Sequence, residues 1–157
     1  LADRLDAICA LKIREAIAGE PLVPGTALIA PGDLHMTIQK GENRTVTIAL
    51  NQGPMENSCR PAADVLFRGV ARVYGSATLG VVLTGMGKDG LTGTRAIRES
   101  GGRVIVQDEA SSVVWGMPGA AHEAGAVESL HPLHVIAGRV MQLVHERGVG
   151  ARAQQSA

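Results

Sequence analysis

The chain has 157 residues, 45% of them hydrophobic and 19% charged, a composition typical of one globular domain and unlike that of a disordered segment. Fifteen Lys and Arg residues balance fifteen Asp and Glu residues. This balance removes a general electrostatic attraction to nucleic acid or to an anionic membrane surface. No run approaches the ~18 apolar residues of a spanning helix, so we expect neither a nucleic-acid partner nor membrane insertion.

Cysteine and histidine usage argues against metal chemistry. Cys9 and Cys59 are far apart and form no Cys-x-x-Cys motif, which favours a reduced, cytoplasmic protein. The five histidines have neither the His-Glu-x-x-His spacing nor cysteine partners at zinc spacing. We therefore predict no metal site.

The first third of the chain has mainly β character. After "LADRLDAIC", which predicts an amphipathic helix, the stretch Thr26–Ala30 predicts a strand that ends at the turn tripeptide Pro31-Gly32-Asp33. The segments "HMTIQK" and "RTVTIAL" follow, joined by "GEN", and the second alternates apolar and polar residues. The pattern predicts an antiparallel hairpin.

From Arg60 onward, predicted helices alternate with predicted strands. "RPAADVLFRGVARVYG" predicts a helix with Pro61 in its first turn and Gly75 at its end. The runs "LGVVLT" and "RVIVQ" predict buried strands, separated by a helix from about Gly90 to Glu99. Two further helices are predicted, a short one that opens at Pro118 and a last one, "HPLHVIAGRVMQLVHERG", that ends at Gly148.

This alternation predicts an α/β fold, a doubly wound and mostly parallel sheet with helices on both faces and the antiparallel hairpin in the first third. We assign residues 1–148 to one domain and 149–157 to a flexible tail. In such sheets, ligands and chemistry gather at the carboxyl ends of the strands.

A glycine-rich turn, "TGMGKDG", follows the "LGVVLT" strand at such an end. Gly85, Gly87 and Gly90 fit the spelling Gly-x-Gly-x-x-Gly, and Asp108 lies about 20 residues further on, so a dinucleotide site is one alternative. Asp89 counts against it, because a carboxylate at the helix start would repel a pyrophosphate and compete for the same backbone amides.

Asp89 itself suits the start of a helix, where backbone donors would hold it ionised. A carboxylate fixed there can orient a histidine in a hydrolase, while an exposed amide such as that of Met86 can stabilise an oxyanion. The simpler alternative is a helix-capping aspartate in a tight turn.

Four stretches carry a resemblance to a known family: "VPGTALIAPGDLHM", "RPAADVLF", "GVVLTGMGKDG" and "DEASSVVWGMPGAA". In this order and spacing they resemble the catalytic domain of the bacterial chemotaxis protein-glutamate methylesterase, from Leu1 to about Arg147. The resemblance implies an α/β domain with a Ser-His-Asp triad that hydrolyses glutamate methyl esters on the cytoplasmic domains of chemoreceptors. It also implies control by a phosphorylatable receiver domain, glutamine deamidation in some members, and no cofactor.

The resemblance maps the triad aspartate onto Asp89 and an oxyanion-binding backbone amide onto Met86, with Gly85, Gly87 and Gly90 supporting the turn. Lys88 stands where the family often has asparagine, which changes the local charge. The family's nucleophilic serine and its histidine belong to motifs that precede Leu1, so the domain is expected to be N-terminally incomplete and this chain alone inactive.

Other residues were considered for the missing roles. Ser111 and Ser112 follow the "RVIVQ" strand and His122 lies on the next helix, but no Gly-x-Ser-x-Gly motif surrounds the serines, which favours loop caps. His35 is predicted to pack or hydrogen-bond within the hairpin. A noncatalytic module that docks on receptors remains an alternative to the enzyme.

Overall fold

The computed structural model describes residues 1–41, 43 and 45–155, with residues 147–155 described as backbone only. Helices and strands follow one another in an order that alternates from the middle of the chain onward: α1 Ala2–Asp6, β1 Lys12–Glu15, β2 Thr26–Ile29, β3 His35–Lys40, β4 Val46–Asn51, α2 Ala63–Tyr74, β5 Leu79–Val82, α3 Leu91–Glu99, β6 Arg103–Gln107, α4 Met117–Glu123, β7 Ser129–His131 and α5 Leu133–Gln155. None of the described helices combines the length and apolar character needed to cross a bilayer.

The described strands form three small sheets. β1 pairs with β2 in parallel, β3 pairs with β4 in an antiparallel hairpin, and β5, β6 and β7 form a parallel sheet in that order. The α/β class, the parallel pairing and the hairpin are confirmed. β1 was not predicted, and it gives β2 a parallel partner ahead of the hairpin.

Helices cover both faces of the three-stranded sheet, as predicted. On β6, Val104 and Val106 face the cluster that contains Ile97 of α3 and Ala121 of α4. Ile105 points the other way, because successive side chains of a strand alternate between faces. Ile105 packs against Ile136 and Leu143 of α5. The three β6 residues Val104, Ile105 and Val106 are fully buried.

Helix α2 packs against both the β3–β4 hairpin and the three-stranded parallel sheet. One side of it packs on the hairpin, where Leu66 and Val70 meet the cluster around Ile48. The other side, with Phe67 and Ala71, packs on the cluster of the three-stranded sheet. The start of α2 therefore lies where the hairpin and the parallel sheet meet.

Two helix boundaries differ from those predicted. α2 begins at Ala63, because Ala62 is extended (φ −111°, ψ 137°), so Pro61 precedes the helix and is not in its first turn. α5 continues past Gly148 to Gln155. A glycine within a helix costs only about 1 kcal/mol relative to alanine, so it does not by itself end a helix. The division into a domain and a flexible tail at residue 148 stays a prediction.

Candidate active site

Asp89 lies in the turn between β5 and α3, at the carboxyl end of the parallel strands, and it is 9% exposed. Gly90, the N-cap residue of α3, follows it directly. The expected place at the end of a strand and just before a helix is therefore correct. Among the described strands, β5 is an edge strand of its sheet.

The carboxylate of Asp89 caps a helix, but the helix is α2. Its Oδ2 accepts a hydrogen bond from the backbone N–H of Ala63 (2.7 Å), and its Oδ1 accepts one from the N–H of Asp64 (3.0 Å). The N–H of Gly90 also donates to Oδ1 (2.9 Å). The Asp89 carboxylate thus satisfies two of the backbone N–H groups that a helix start leaves without an intrahelical partner.

Asp64 makes the reciprocal contact. It is in the first turn of α2, is 2% exposed, and its Oδ1 accepts a hydrogen bond from the N–H of Gly93 in the first turn of α3 (2.6 Å). Each helix start is thus capped by an aspartate from the start of the other helix. The close approach needs Gly93, because a Cβ there would lie 2.5 Å from the Cβ of Phe67.

Asn57 joins the two aspartates. Its side-chain Nδ2 donates to Asp64 Oδ2 (3.0 Å) and to Asp89 Oδ1 (3.2 Å). Sequence reasoning missed both Asp64 and Asn57. An acidic residue in the first turn of the predicted α2 was a usable signal for Asp64, whereas nothing local to Asn57 indicated its partners 7 and 32 positions away.

One acceptor position on Asp89 stays open. Oδ1 accepts three hydrogen bonds, but Oδ2 accepts only the one from Ala63 among the described residues. A carboxylate oxygen has two lone pairs. Asp89 also lines a depression of about 270 Å³ whose other lining residues are mostly apolar: Ala30, Met36, Pro61, Ala62, Ala63 and Leu66. Asp89 therefore keeps acceptor capacity and lies at the edge of this depression.

The glycines of the turn have separate roles. Gly87 and Gly90 have positive φ angles of 83° and 89°, in the left-handed region that favours glycine. Gly85 allows a close approach, because a Cβ there would lie 2.5 Å from the Sδ of Met117. Its carbonyl accepts hydrogen bonds from the N–H groups of Gly116 (3.1 Å) and Met117 (2.8 Å), which ties the turn to the segment after β6.

Met86 lies at the tip of this turn, and its side chain is largely solvent-exposed. Within the described part of the chain its backbone N–H has no hydrogen-bond acceptor. An unpaired amide at the tip of a turn is available to an oxyanion. The geometry is thus compatible with the role expected of Met86, which stays a prediction.

The serines considered as substitutes are engaged elsewhere. The hydroxyl of Ser111 donates to Asp108 Oδ1 (2.6 Å) and accepts from the N–H of Leu133 (3.0 Å), so it links the β6 loop to the start of α5. The hydroxyl of Ser112 donates to the carbonyl of Asp108 (2.7 Å). Hydrogen bonds from the Ser111 side chain and backbone lower the pKa of Asp108. Both serines are loop caps, as the sequence favoured.

Neither His35 nor His122 belongs to a catalytic arrangement among the described residues. His35 is 2% exposed and bonds the carbonyl of Pro54 through Nε2 (2.9 Å) and the N–H of Ala62 through Nδ1 (3.3 Å), which confirms its predicted structural role. The ring of His122 lies 6.5 Å from that of Trp115 and makes no hydrogen bond to Ser111 within the described residues. An in-chain triad built on Ser111 and His122 is not formed.

The dinucleotide alternative fits this geometry poorly. A pyrophosphate would need the free amides at the start of α3. The N–H of Gly90 is bonded to Asp89 and that of Gly93 to Asp64, so two carboxylates already occupy this helix start. The described residues also contain no group of three side chains placed to ligate a metal ion.

Comparisons with known proteins point to one family. A family model described as CheB methylesterase matches residues 1–140. A protein of Trichodesmium erythraeum named protein-glutamate methylesterase/protein-glutamine glutaminase is 49% identical over 144 residues, covering 92% of this chain and 41% of that protein. A Caulobacter vibrioides protein of the same name, numbered 2, is 52% identical over 136 residues, covering 87% of this chain and 39% of that protein.

A solved structure shows the same fold. The crystal structure of the Thermotoga maritima CheB methylesterase catalytic domain superposes with a TM-score of 0.87 at 38% identity, covering 90% of this chain and 75% of that one. The chain spans about two fifths of the length of the curated relatives above. Since the family model covers most of the chain and the fold agrees, the chain belongs to the CheB methylesterase family.

Proposed function

We propose that this chain is part of a protein-glutamate methylesterase in which Asp89 is the acid of a Ser-His-Asp triad. The observation that carries the proposal is how the carboxylate of Asp89 is held and which of its oxygens can still accept a hydrogen bond. Backbone amides fix it at the carboxyl edge of the parallel strands, and Oδ2 keeps one acceptor position beside an apolar depression. A triad acid needs this combination of fixed orientation and a free acceptor for an imidazole N–H.

The proposed reaction is two-step acyl transfer. A serine hydroxyl attacks the ester carbonyl while a histidine takes its proton, and the amide of Met86 stabilises the resulting oxyanion. The histidine then protonates the departing methanol, and a water molecule releases the glutamate in the same way. Asp89 Oδ2 holds the imidazole in the productive tautomer throughout. With glutamine as substrate, ammonia leaves in place of methanol, which suits the second activity in the relatives' names.

In this proposal the serine and the histidine come from chain outside residues 1–157. Ser111 and Ser112 are used as loop caps, and no described histidine bonds to Asp89. Residues 1–148 would then be part of the catalytic domain, and 149–157 a tail. The proposed setting is cytoplasmic, with the methylated cytoplasmic domains of chemoreceptors as substrate and a phosphorylatable receiver domain as regulator.

The test is methanol release from a methylated receptor fragment by the full-length protein. We expect Asp89→Asn to reduce kcat by ~10³–10⁴-fold, because the amide would favour the wrong imidazole tautomer. The matched control is Asp108→Asn, the same change in a carboxylate whose described hydrogen bonds all come from Ser111 in its own loop. It is expected to retain activity.

Two further measurements make this test decisive. Asp89→Asn also places an amide among N–H donors that cap α2, so the melting temperature of each variant must accompany its rate. Residues 1–157 alone are expected to release no methanol. Full activity in folded Asp89→Asn protein, or turnover by residues 1–157 alone, would contradict the proposal.

A further inference from the structure

We propose that Asn57 is a positioning residue for Asp89, an inference that rests on the proposed function. Its side-chain amide holds Asp89 Oδ1 and Asp64 Oδ2 together, so that Asp89 Oδ2 is the oxygen left for the histidine. Asn57 itself touches no reacting atom in this proposal. It acts through the orientation of the carboxylate.

The distribution of donors around Asp89 supports this role. Three of its four hydrogen bonds come from backbone N–H groups, which are fixed by the two helix starts. The fourth comes from Asn57, which is the one side-chain donor among the described contacts of this carboxylate. With three donors on Oδ1, a tilt of the carboxylate out of this orientation would weaken the bonds to Asn57, Asp64 and Gly90 together.

The backbone around Asn57 is held in a less common conformation. Asn57 and Ser58 both have positive φ angles, 52° and 61°, and Glu56 and Cys59 on either side exchange two backbone hydrogen bonds. Glu56 is in turn bound by Arg68 of α2 through both carboxylate oxygens (2.6 and 2.7 Å). Asparagine enters this left-handed region more readily than most residues, so Asn57 suits this tight turn.

The chemistry of the asparagine fits the task. Asp64 and Asp89 are both nearly buried, and a neutral amide can donate one N–H to each of them. A lysine in its place would also bridge them, but its charge would compete with the imidazolium for Asp89. A neutral donor therefore fixes the carboxylate and preserves its full attraction for the histidine.

The test compares substitutions within the same tight turn of the full-length protein. Asn57→Gly removes the amide where φ suits glycine, and Ser58→Gly is the matched control at the neighbouring left-handed position. We expect Asn57→Gly to lower kcat for methanol release by about ten- to hundredfold, the effect of a misplaced catalytic group, with KM unchanged. Ser58→Gly is expected to match the parent protein in both constants.

A pH profile separates positioning from simple stability. Asn57→Asp adds a negative charge beside Asp89, which favours the protonated imidazole. The acidic limb of kcat/KM is therefore expected to move to higher pH. Ser58→Asp adds the same charge to the same turn at a side chain without a bond to Asp89, and it is expected to move the limb less. A role limited to folding would lower the melting temperature and leave the profile unchanged.

The outcomes distinguish the two proposals. If Asp89→Asn abolishes turnover while Asn57→Gly and Ser58→Gly have equal kcat, the positioning role of Asn57 is overturned and the triad assignment stands. If folded Asp89→Asn protein is fully active, the triad assignment itself fails. A selective kcat loss in Asn57→Gly together with the shifted profile of Asn57→Asp supports the inference.

Discussion

Two polar turns lie at the same edge of the parallel sheet, one after β5 and one after β6, and they use their side chains differently. In the β6 turn, Asp108 bonds to Ser111 three positions away, and Ser111 reaches the start of α5. In the β5 turn, Asp89 reaches residues 25 to 32 positions away, at the start of α2 and in the tight turn before it. The Asp108 carboxylate is held by local bonds, whereas the Asp89 carboxylate is held mainly by tertiary ones.

This difference separates a loop cap from a candidate catalytic group. The Ser111 hydroxyl already donates and accepts hydrogen bonds, so little capacity remains for a substrate. Asp89 is just as firmly held, but one oxygen keeps an acceptor position beside the depression at α2. In the β5 turn, the unused acceptor belongs to a carboxylate that the starts of both α2 and α3 help to position.

After Asp89→Asn, the largest effect is expected at the tip of the β5 turn. Met86→Pro in the full-length protein removes the backbone N–H proposed to bind the oxyanion, and we expect kcat to fall by ~10²–10³-fold. Met86→Ala, which keeps the amide and removes only an exposed side chain, is expected to stay near the parent rate. Methanol release measures both, and a melting curve verifies that the Pro variant is folded. Equal rates in the two variants would remove Met86 from the mechanism.

The next largest effect is expected from Gly116→Ala, which changes the contact between the β5 turn and the β6 turn. A Cβ at Gly116 would lie 2.6 Å from the carbonyl oxygen of Gly85 and 2.8 Å from the nitrogen of Gly87, so Gly116→Ala must displace backbone. We expect a loss of ~1–3 kcal/mol in the free energy of unfolding, measured by urea titration.

The control for this substitution is Gly138→Ala in α5, where a Cβ would meet no atom within 4 Å. It is expected to stabilise the protein by up to ~1 kcal/mol, because glycine is the poorer helix former. An unchanged stability of Gly116→Ala would mean that the two turns are not in firm contact.

A smaller effect is expected within the β6 turn. Ser111→Ala removes the bonds to Asp108 and to the N–H of Leu133, so we expect a stability loss of about 1 kcal/mol. Methanol release by the full-length protein is expected to remain at the parent rate. A loss of activity without a loss of stability would instead indicate that Ser111 takes part in the reaction.

The smallest expected effect concerns Asp108 in the same turn and the loss of protein stability at acid pH. The pKa of Asp108 is below its ordinary value of 3.8, chiefly because the Ser111 side chain and then its backbone N–H bond to the carboxylate. Its contribution to stability is therefore present above that ordinary value and is lost as pH falls through the lower, folded value. Asp108→Asn is expected to flatten the stability profile below about pH 4, measured by urea unfolding from pH 2.5 to 6. An identical slope in both proteins would contradict it.

The fold was largely predictable because its signals are local. Alternation identified the hairpin, and apolar runs such as Arg103–Gln107 identified buried strands. The start of α2 was misplaced because its cap comes from Asp89, 25 residues away, and no local cap residue was present to reveal it. β1 was missed since "KIRE" has too few residues to show a strand pattern.

The site was predictable only in part. Asp89 stood out as a carboxylate in a glycine-rich turn at a strand end, and the four family stretches supplied its expected role. Asp64 and Asn57 acquire their significance from the packing of α2 against α3. That packing depends on Gly93, because a side chain there would collide with Phe67. The pattern of apolar residues does not show such a close contact.

The exchange of capping aspartates between α2 and α3 has a consequence for local unfolding of the two helix starts. If either helix start unravels, the aspartate that caps the other is carried away with it, so neither end can fray independently. The amides of Ala63, Asp64 and Gly93 are therefore expected to exchange their hydrogens with solvent at a common free energy, as one cooperative unit. The candidate catalytic carboxylate belongs to that unit, so it loses its orientation only when both helix starts open together.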